Sequence, residues 1–180
     1  LWDSKLYLAL ALNAKNYTGK FMFEYFLDEW PGDNGGRIIV EHIMHILDIK
    51  SLKSDHVPVC GLLAPICRML GISSKVKVGS WLSCLSNAAF VCTNSFHGTV
   101  FSLLFHRPFV TVLLKGEMSG MNERGLSLLS KVGLLNRAIY SNEIAKVDVI
   151  AKELIDWHHV DECLEFERMR YNDFIEKVGL

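Results

Sequence analysis

The chain has 180 residues, half of them hydrophobic and 22% charged, with a net charge of −1. That balance describes one compact globular domain with ample core and excludes a disordered or low-complexity chain. The 19 lysines and arginines are spread along the sequence, which excludes broad electrostatic capture of nucleic acid but leaves room for a small anion, since two or three placed cations suffice for that.

In chain order, the first apolar stretch, Leu6 to Leu12, is far too short to span a bilayer and lacks the basic flank and cleavage site of a secretory leader. The chain begins at Leu1, already inside an apolar pattern, as a fragment of a longer protein would. Phe21 to Leu27 (FMFEYFL) is a strand-length aromatic run, and Gly32 to Gly36 (GDNGG) reads as a loop, without the lysine of a P-loop or the spacing of a dinucleotide fingerprint. Arg37 to Ile49 sets Ile38, Ile39, His42, Ile43, Ile46 and Leu47 at helical spacing. His56 to Cys60 (HVPVC) suits a short edge strand, because Pro58 has no N–H for a ladder. Leu62 to Leu70 and Ser80 to Asn87 read as helices, Ala89 to Thr93 as a buried strand, Gly98 to His106 as a helix and Phe109 to Leu114 as the next strand. After a loop from Lys115 to Asn122, a helix from Glu123 to Val132 closes on Gly133, and a long amphipathic surface helix runs from Trp157 to Val178. Strands alternating with helices predict an α/β fold, a Rossmann-like parallel sheet covered on both faces.

Five cysteines make an odd count, and four of them (Cys60, Cys67, Cys84, Cys92) lie in apolar sequence, so buried free thiols in a reducing compartment are expected rather than a disulfide framework. A cytoplasmic protein follows, with peripheral attachment to the inner membrane face left open. His42 and His45 share a helix side, but with Cys60 and Cys67 they make a scattered set with no tight ligand pair, and no metal or other cofactor is expected. His158 and His159 read as a solvated face. Trp2, Trp30, Trp81 and Trp157 form no stripe and read as core or interface anchors.

The chemistry concentrates at "TNSFHG", residues 93 to 98, where a strand turns into a helix. Open α/β sheets bind ligands outside the carboxyl ends of their strands. Asn94 or Ser95 is placed to cap the helix, whose first-turn N–H groups and dipole favour an anion, and Gly98 would let a ligand approach the backbone. His97 stands at the rim as a proton donor or acceptor near neutral pH. The competing reading is a capped helix start with a satisfied polar histidine. Arg124 and Asn122 follow the next strand and are placed to reach the same crevice, Arg124 with a fork that grips an oxyanion. Lys115, at the end of that strand, is a further candidate.

Residues Val78 to Arg137 resemble the C-terminal half of the polysaccharide pyruvyl transferase family. The resemblance rests on an ordered series: a Trp-Leu-Ser helix ending in Asn-Ala, a strand leading to Thr-Asn-Ser-Phe-His-Gly, an Arg-Pro-Phe strand start, and the helix "NERGLSLLSKVGLLNR". "FMFEYFLD" and the terminal "IDWHHVDECLEFERMRYNDFIEKV" are similar to the family's first strand and last helix, so the likeness covers the chain from Phe21 onward. The resemblance implies the second of two Rossmann-like domains of a glycosyltransferase-B type protein, with residues 19–156 as its core, 157–178 as its C-terminal helix, and an N-terminal partner domain lying outside this sequence. It implies transfer of a pyruvyl group from phosphoenolpyruvate to two hydroxyls of a saccharide acceptor, free or lipid-linked, forming a ketal in cell-surface polysaccharide biosynthesis. The isolated chain would then be inactive and prone to self-association through its exposed inner face.

On that resemblance His97 is the catalytic acid or base, and Asn94, Ser95, Phe96, Gly98, Thr99, Lys115, Asn122 and Arg124 are the substrate-binding residues. One departure matters. Family members resemble one another in an Arg-[Phe/Leu]-His form of the motif, with the arginine assigned to phosphoenolpyruvate, and this chain has Ser95 there. A different cation, Arg124 foremost, is expected to replace it. The alternatives are a nucleotide-sugar glycosyltransferase on the same architecture and a non-catalytic binding domain that kept the fold.

Overall fold

A computed structural model describes residues 4–12, 19–27, 35–54 and 78–178. The described elements are α1 (Ser4–Leu12), β1 (Phe21–Tyr25), α2 (Gly35–Leu47), β2 (Lys50–Lys53), α3 (Val78–Asn87), β3 (Phe90–Thr93), α4 (Phe96–Leu104), β4 (Phe109–Val112), α5 (Asn122–Lys131), β5 (Ala138–Ile139), α6 (Val147–Lys152) and α7 (Trp157–Val178). All five strands pair in parallel in the order β2-β1-β3-β4-β5, as expected for a Rossmann-like α/β protein. The order reverses between β1 and β3, and such a switch point opens a crevice at the carboxyl ends of the two strands.

Period-two alternation sends strand residues to opposite faces. Phe21, Phe23, Val91 and Phe109 join Leu82, Leu85, Val100, Leu103, Leu129, Val160 and Leu164 in the core under α3, α4, α5 and α7. Met22, Phe90, Cys92, Val110 and Val112 join Ile39, Val40, Ile43, Val147 and Ile150 under α2 and α6. The predicted strands at 21–27, 89–93 and 109–114 and the helices at 37–49, 80–87, 123–132 and 157–178 are all present, several with shifted ends.

The differences are instructive. The helix after β3 begins at Phe96, two residues earlier than the periodicity indicates. Gly35 and Gly36 belong to α2 rather than to a loop; a Cβ on Gly36 would lie 2.7 Å from the Phe26 ring, so the glycine admits that aromatic side chain against the helix. The loop after β4 is a 3-10 helix, Gly116–Met121. Strands β2 and β5 carry no sequence signal: one is Lys-Ser-Leu-Lys, the other only Ala138–Ile139, and both are edges, where short or lysine-bearing strands discourage further pairing. The expected strand at 56–60, the helix at 62–70, Cys60, Cys67, Trp2 and Trp30 lie outside the described residues.

Helix ends explain how the layers are fixed. At the end of α5, Gly133 (φ 70) donates to Ser130 O at 3.3 Å and Leu134 N to Leu129 O at 2.8 Å, the paired bonds of a Schellman turn. Helix α4 ends in the same pattern, with His106 N bonded to Leu103 O and Arg107 N to Ser102 O, but there the left-handed position (φ 52) is a histidine. Its imidazole stacks on Trp157 at 5.0 Å and its Nε2 lies 2.9 Å from Asp161 Oδ1, so the strained residue docks α7. Arg137 is fully buried, and its guanidinium donates to Ile150 O at 3.0 Å and Glu153 O at 2.8 Å, satisfying carbonyls at the C-terminus of α6. Burial lowers the Arg137 pKa and the nearby Glu153 carboxylate opposes that shift.

Candidate functional site

The turn from Thr93 to Gly98 sits where the strand order reverses, at the carboxyl ends of β1 and β3. Thr93 builds it. Its hydroxyl donates to Tyr25 O on β1 and accepts from Ser95 N at 3.0 Å, which ties the end of one strand to the turn leaving the next. Asn94 adds a two-bond clamp: its Oδ1 accepts from Leu27 N at 2.7 Å and its Nδ2 donates to Leu27 O at 3.1 Å. Asn122 repeats the device on the neighbouring strand, accepting from Leu114 N at 3.0 Å and donating to Leu114 O at 2.9 Å.

These bonds correct several expectations. Asn94 does not cap α4, because both ends of its amide are committed to Leu27. Ser95 occupies the N-cap position, with extended φ and ψ, yet makes no side-chain cap bond; its hydroxyl is fully buried and has no partner among the described residues. Gly98 carries a packing task that its place in the turn did not announce. A Cβ there would stand 2.3 Å from Thr93 Oγ1 and 2.9 Å from Thr93 Cβ and Cγ2, so the glycine is what lets the helix close onto the strand. The Thr99 side chain also faces inward, with its hydroxyl 3.2 Å from Ser95 O and 2.8 Å from Thr111 Oγ1. Asn122 anchors the strand end rather than presenting a free amide to the crevice.

What faces outward is a different set. The first intrahelical bond of α4 is Thr99 N to Ser95 O at 3.0 Å, so the N–H groups of Phe96, His97 and Gly98 have no acceptor within the helix. His97, on that first turn, is exposed. Its ring meets Phe96 edge-on with centroids 5.8 Å apart, and the Arg124 guanidinium carbon lies 5.0 Å from the centroid of the same Phe96 ring. The structure thus brings His97, Phe96 and Arg124 together, although the arginine comes from the next helix. Arg124 sits in the first turn of α5, where the helix dipole disfavours a cation. Among the described residues it forms no ion pair. Lys115 is exposed at the start of the 3-10 helix. Beside Phe96 and Arg124 a groove of about 940 Å³ runs between α4, α5 and α7, floored by Leu104, Leu128 and Leu164.

A cation fork, an open helix N-terminus and an exposed imidazole can hold a small anion and move a proton next to it. Among the described residues no three His, Cys, Asp or Glu side chains come together in a way that would hold a metal ion. His42 instead lies 3.4 Å from Asp148, linking α2 to α6. His158 is exposed beside Glu162, while Trp81 packs with Tyr25 and Phe101 in the core. No helix among the described residues is long and apolar enough to cross a membrane. Cys84 and Cys92 are buried free thiols; burial pushes Cys84 up to about 12 and, with the Glu24 carboxylate adding to it, Cys92 well above its ordinary value. Glu24 is a residue the sequence reading passed over: an acid only 7% exposed, paired in register with Cys92 near the carboxyl end of β1. Its one signal is a charge inside an aromatic strand.

Neither a curated protein nor a solved structure matches the chain. The family model of the polysaccharide pyruvyl transferases matches residues 37–115, a stretch that runs from α2 through the whole of the Thr93–Gly98 turn to the end of β4 and just beyond. That stretch contains the Thr93–Gly98 turn but neither Asn122 nor Arg124, and over it the chain is similar to the polysaccharide pyruvyl transferase family.

Proposed function

We propose that the chain is the donor-side half of a pyruvyl transferase that moves the pyruvyl group of phosphoenolpyruvate onto two hydroxyls of a saccharide as a cyclic ketal. The observation that carries this reading is the placement of the Arg124 guanidinium 5.0 Å over Phe96, beside His97 and the open first turn of α4. Phosphoenolpyruvate carries a phosphate and a carboxylate, so its site needs fixed donors and positive charge. In the family pattern an arginine two residues before the histidine supplies that charge. Here Arg124, arriving from the next helix, supplies it.

The chemistry assigns a task to each group. C3 of the enol phosphate takes a proton, which makes C2 electrophilic. One sugar hydroxyl adds to C2 and loses its proton, and the C2–O bond to phosphate breaks. The second hydroxyl then closes the ketal and loses its own proton. His97 gives or takes one of these protons, while Arg124 and the Phe96–Gly98 N–H groups hold the phosphate and stabilise it as it leaves. The saccharide completes its contacts on an N-terminal domain of the same protein, across the crevice.

Calorimetric titration at low salt tests the donor half in this chain alone. Phosphoenolpyruvate and phosphate should bind, raise the melting temperature and weaken as sodium chloride increases; at a hundred times Kd the stabilisation is about 2.7 kcal/mol. Arg124→Gln should reduce the effect. Nucleotide sugars binding in preference to phosphoenolpyruvate would instead identify a glycosyltransferase. In the full-length protein, His97→Ala should slow pyruvyl transfer by about 10²-fold or more with unchanged melting temperature. Wild-type turnover in that variant would remove His97 from the mechanism.

A further inference from the structure

We propose that Phe96 is a positioning residue, whose ring holds the Arg124 guanidinium on its face and meets the His97 imidazole at its edge, so that cation and proton-transfer group keep a fixed separation. The inference rests on the donor-site reading above and adds the means by which an exposed arginine is made into a defined subsite.

Arg124 and His97 are both exposed, and neither has another hydrogen bond or ion pair among the described residues that would fix it. Phe96 differs from both. It is partly buried, packs against the core cluster that contains Val100, Leu104 and Leu129, and is the first residue of α4, so its backbone is set by the Thr93 and Ser95 bonds beneath it. A rigid aromatic platform therefore stands between two otherwise unfixed polar groups. An arginine loses considerable rotamer entropy when it is held, and the α5 dipole works against a cation in that first turn. The ring quadrupole attracts a guanidinium over its face, and a planar cation lying flat on an aromatic ring still presents its N–H edge outward to an oxyanion. Those geometric facts make the ring, rather than a carboxylate, the partner that sets Arg124. A carboxylate partner would neutralise the charge that the anion needs, whereas the ring leaves it intact.

The test uses the full chain labelled with ¹⁵N-arginine. The Arg124 side-chain resonance, assigned by its loss in Arg124→Gln, should be displaced upfield by the Phe96 ring current. Phe96→Leu should return it to the position of a free arginine, and Phe96→Tyr should keep it displaced. Titrated with phosphate and with phosphoenolpyruvate, Phe96→Leu should bind about two- to fivefold more weakly, Phe96→Tyr as wild type does, and Phe96→Leu/Arg124→Gln no more weakly than Arg124→Gln alone. Phe96→Met stands in if the leucine variant fails to fold, as judged by its melting curve. An undisplaced Arg124 signal in the wild-type protein overturns the positioning role, and so do fully additive losses in the double variant. Failure of the wild-type chain to bind either anion overturns the proposed function and with it the use of the perch, while the resonance still reports whether the ring holds the guanidinium.

Discussion

Replacing Gly98 by alanine isolates the packing that creates the turn. Alanine at this third position of α4 gains at most about 1 kcal/mol of helix propensity over glycine. Against that, the new Cβ would meet Thr93 Oγ1 at 2.3 Å and two Thr93 carbons at 2.9 Å. Thr93 is fully buried and cannot swing aside without giving up its bonds to Tyr25 O and from Ser95 N. Overpacking of this kind costs about 1–3 kcal/mol, and the two bonds about 1 kcal/mol each, so the net loss is about 2–4 kcal/mol. With a urea m-value of about 2 kcal/mol/M, the unfolding midpoint should fall by about 1–2 M. Thr93→Ala in the Gly98→Ala background should recover part of this loss, because it removes Oγ1 and Cγ2, and the two substitutions should couple by about 1 kcal/mol or more. A Gly98→Ala protein as stable as wild type would refute this packing role.

The remaining predictions concern stability. Arg137→Ala should destabilise the chain by about 3 kcal/mol, read from urea unfolding, because it opens a cavity and leaves the Ile150 and Glu153 carbonyls without their donor. The raised thiol pKa of Cys84 makes stability fall at alkaline pH: below pH 9 folded and unfolded chains both hold the proton, above it the unfolded thiol ionises first, and the loss runs at about 1.4 kcal/mol per pH unit toward the folded value of about 12. The difference in stability between wild type and Cys84→Ala, followed from pH 8 to 11, isolates that slope; a difference independent of pH would contradict it. Neither Cys84 nor Cys92 should react with a thiol reagent until the protein unfolds, since both are fully buried.

The elements that the sequence discloses are those whose apolar residues repeat often enough to show a period. Ile39 and Ile43 in α2, and Val160 and Leu164 in α7, repeat at helical spacing and are buried as that spacing requires. Lys50 to Lys53 has no such pattern, because an edge strand takes its place from backbone pairing with Phe21 to Glu24 and needs no apolar face of its own. The site divides in the same way. The helix start after β3 and the arginine after β4 are visible as residue types at strand ends. The tasks of Thr93, Asn94 and Thr99 are not, since they depend on partners such as Tyr25, Leu27 and Thr111 that only the folded sheet brings near. Gly98 illustrates the limit: a glycine in a ligand-facing turn and one under a helix look alike in sequence, and only the position of Thr93 separates them.

The Asn94 clamp carries a consequence for the chemical durability of the crevice. A primary amide is the one small side-chain group that offers an acceptor and a donor side by side, which is what Leu27 demands with its N–H at 2.7 Å and its carbonyl at 3.1 Å. Hydrolysis of that amide would leave a carboxylate of nearly the same shape. The bond from Leu27 N would survive and strengthen, but two oxygens would face each other across the second contact with no hydrogen between them. The two loops at the switch point would then repel at one end while remaining tethered at the other, and a negative charge would appear beside the α4 N-terminus, in competition with any anion bound there. Exchange of a single nitrogen for oxygen, invisible in the overall shape, would thus leave the crevice with a fixed negative charge of its own.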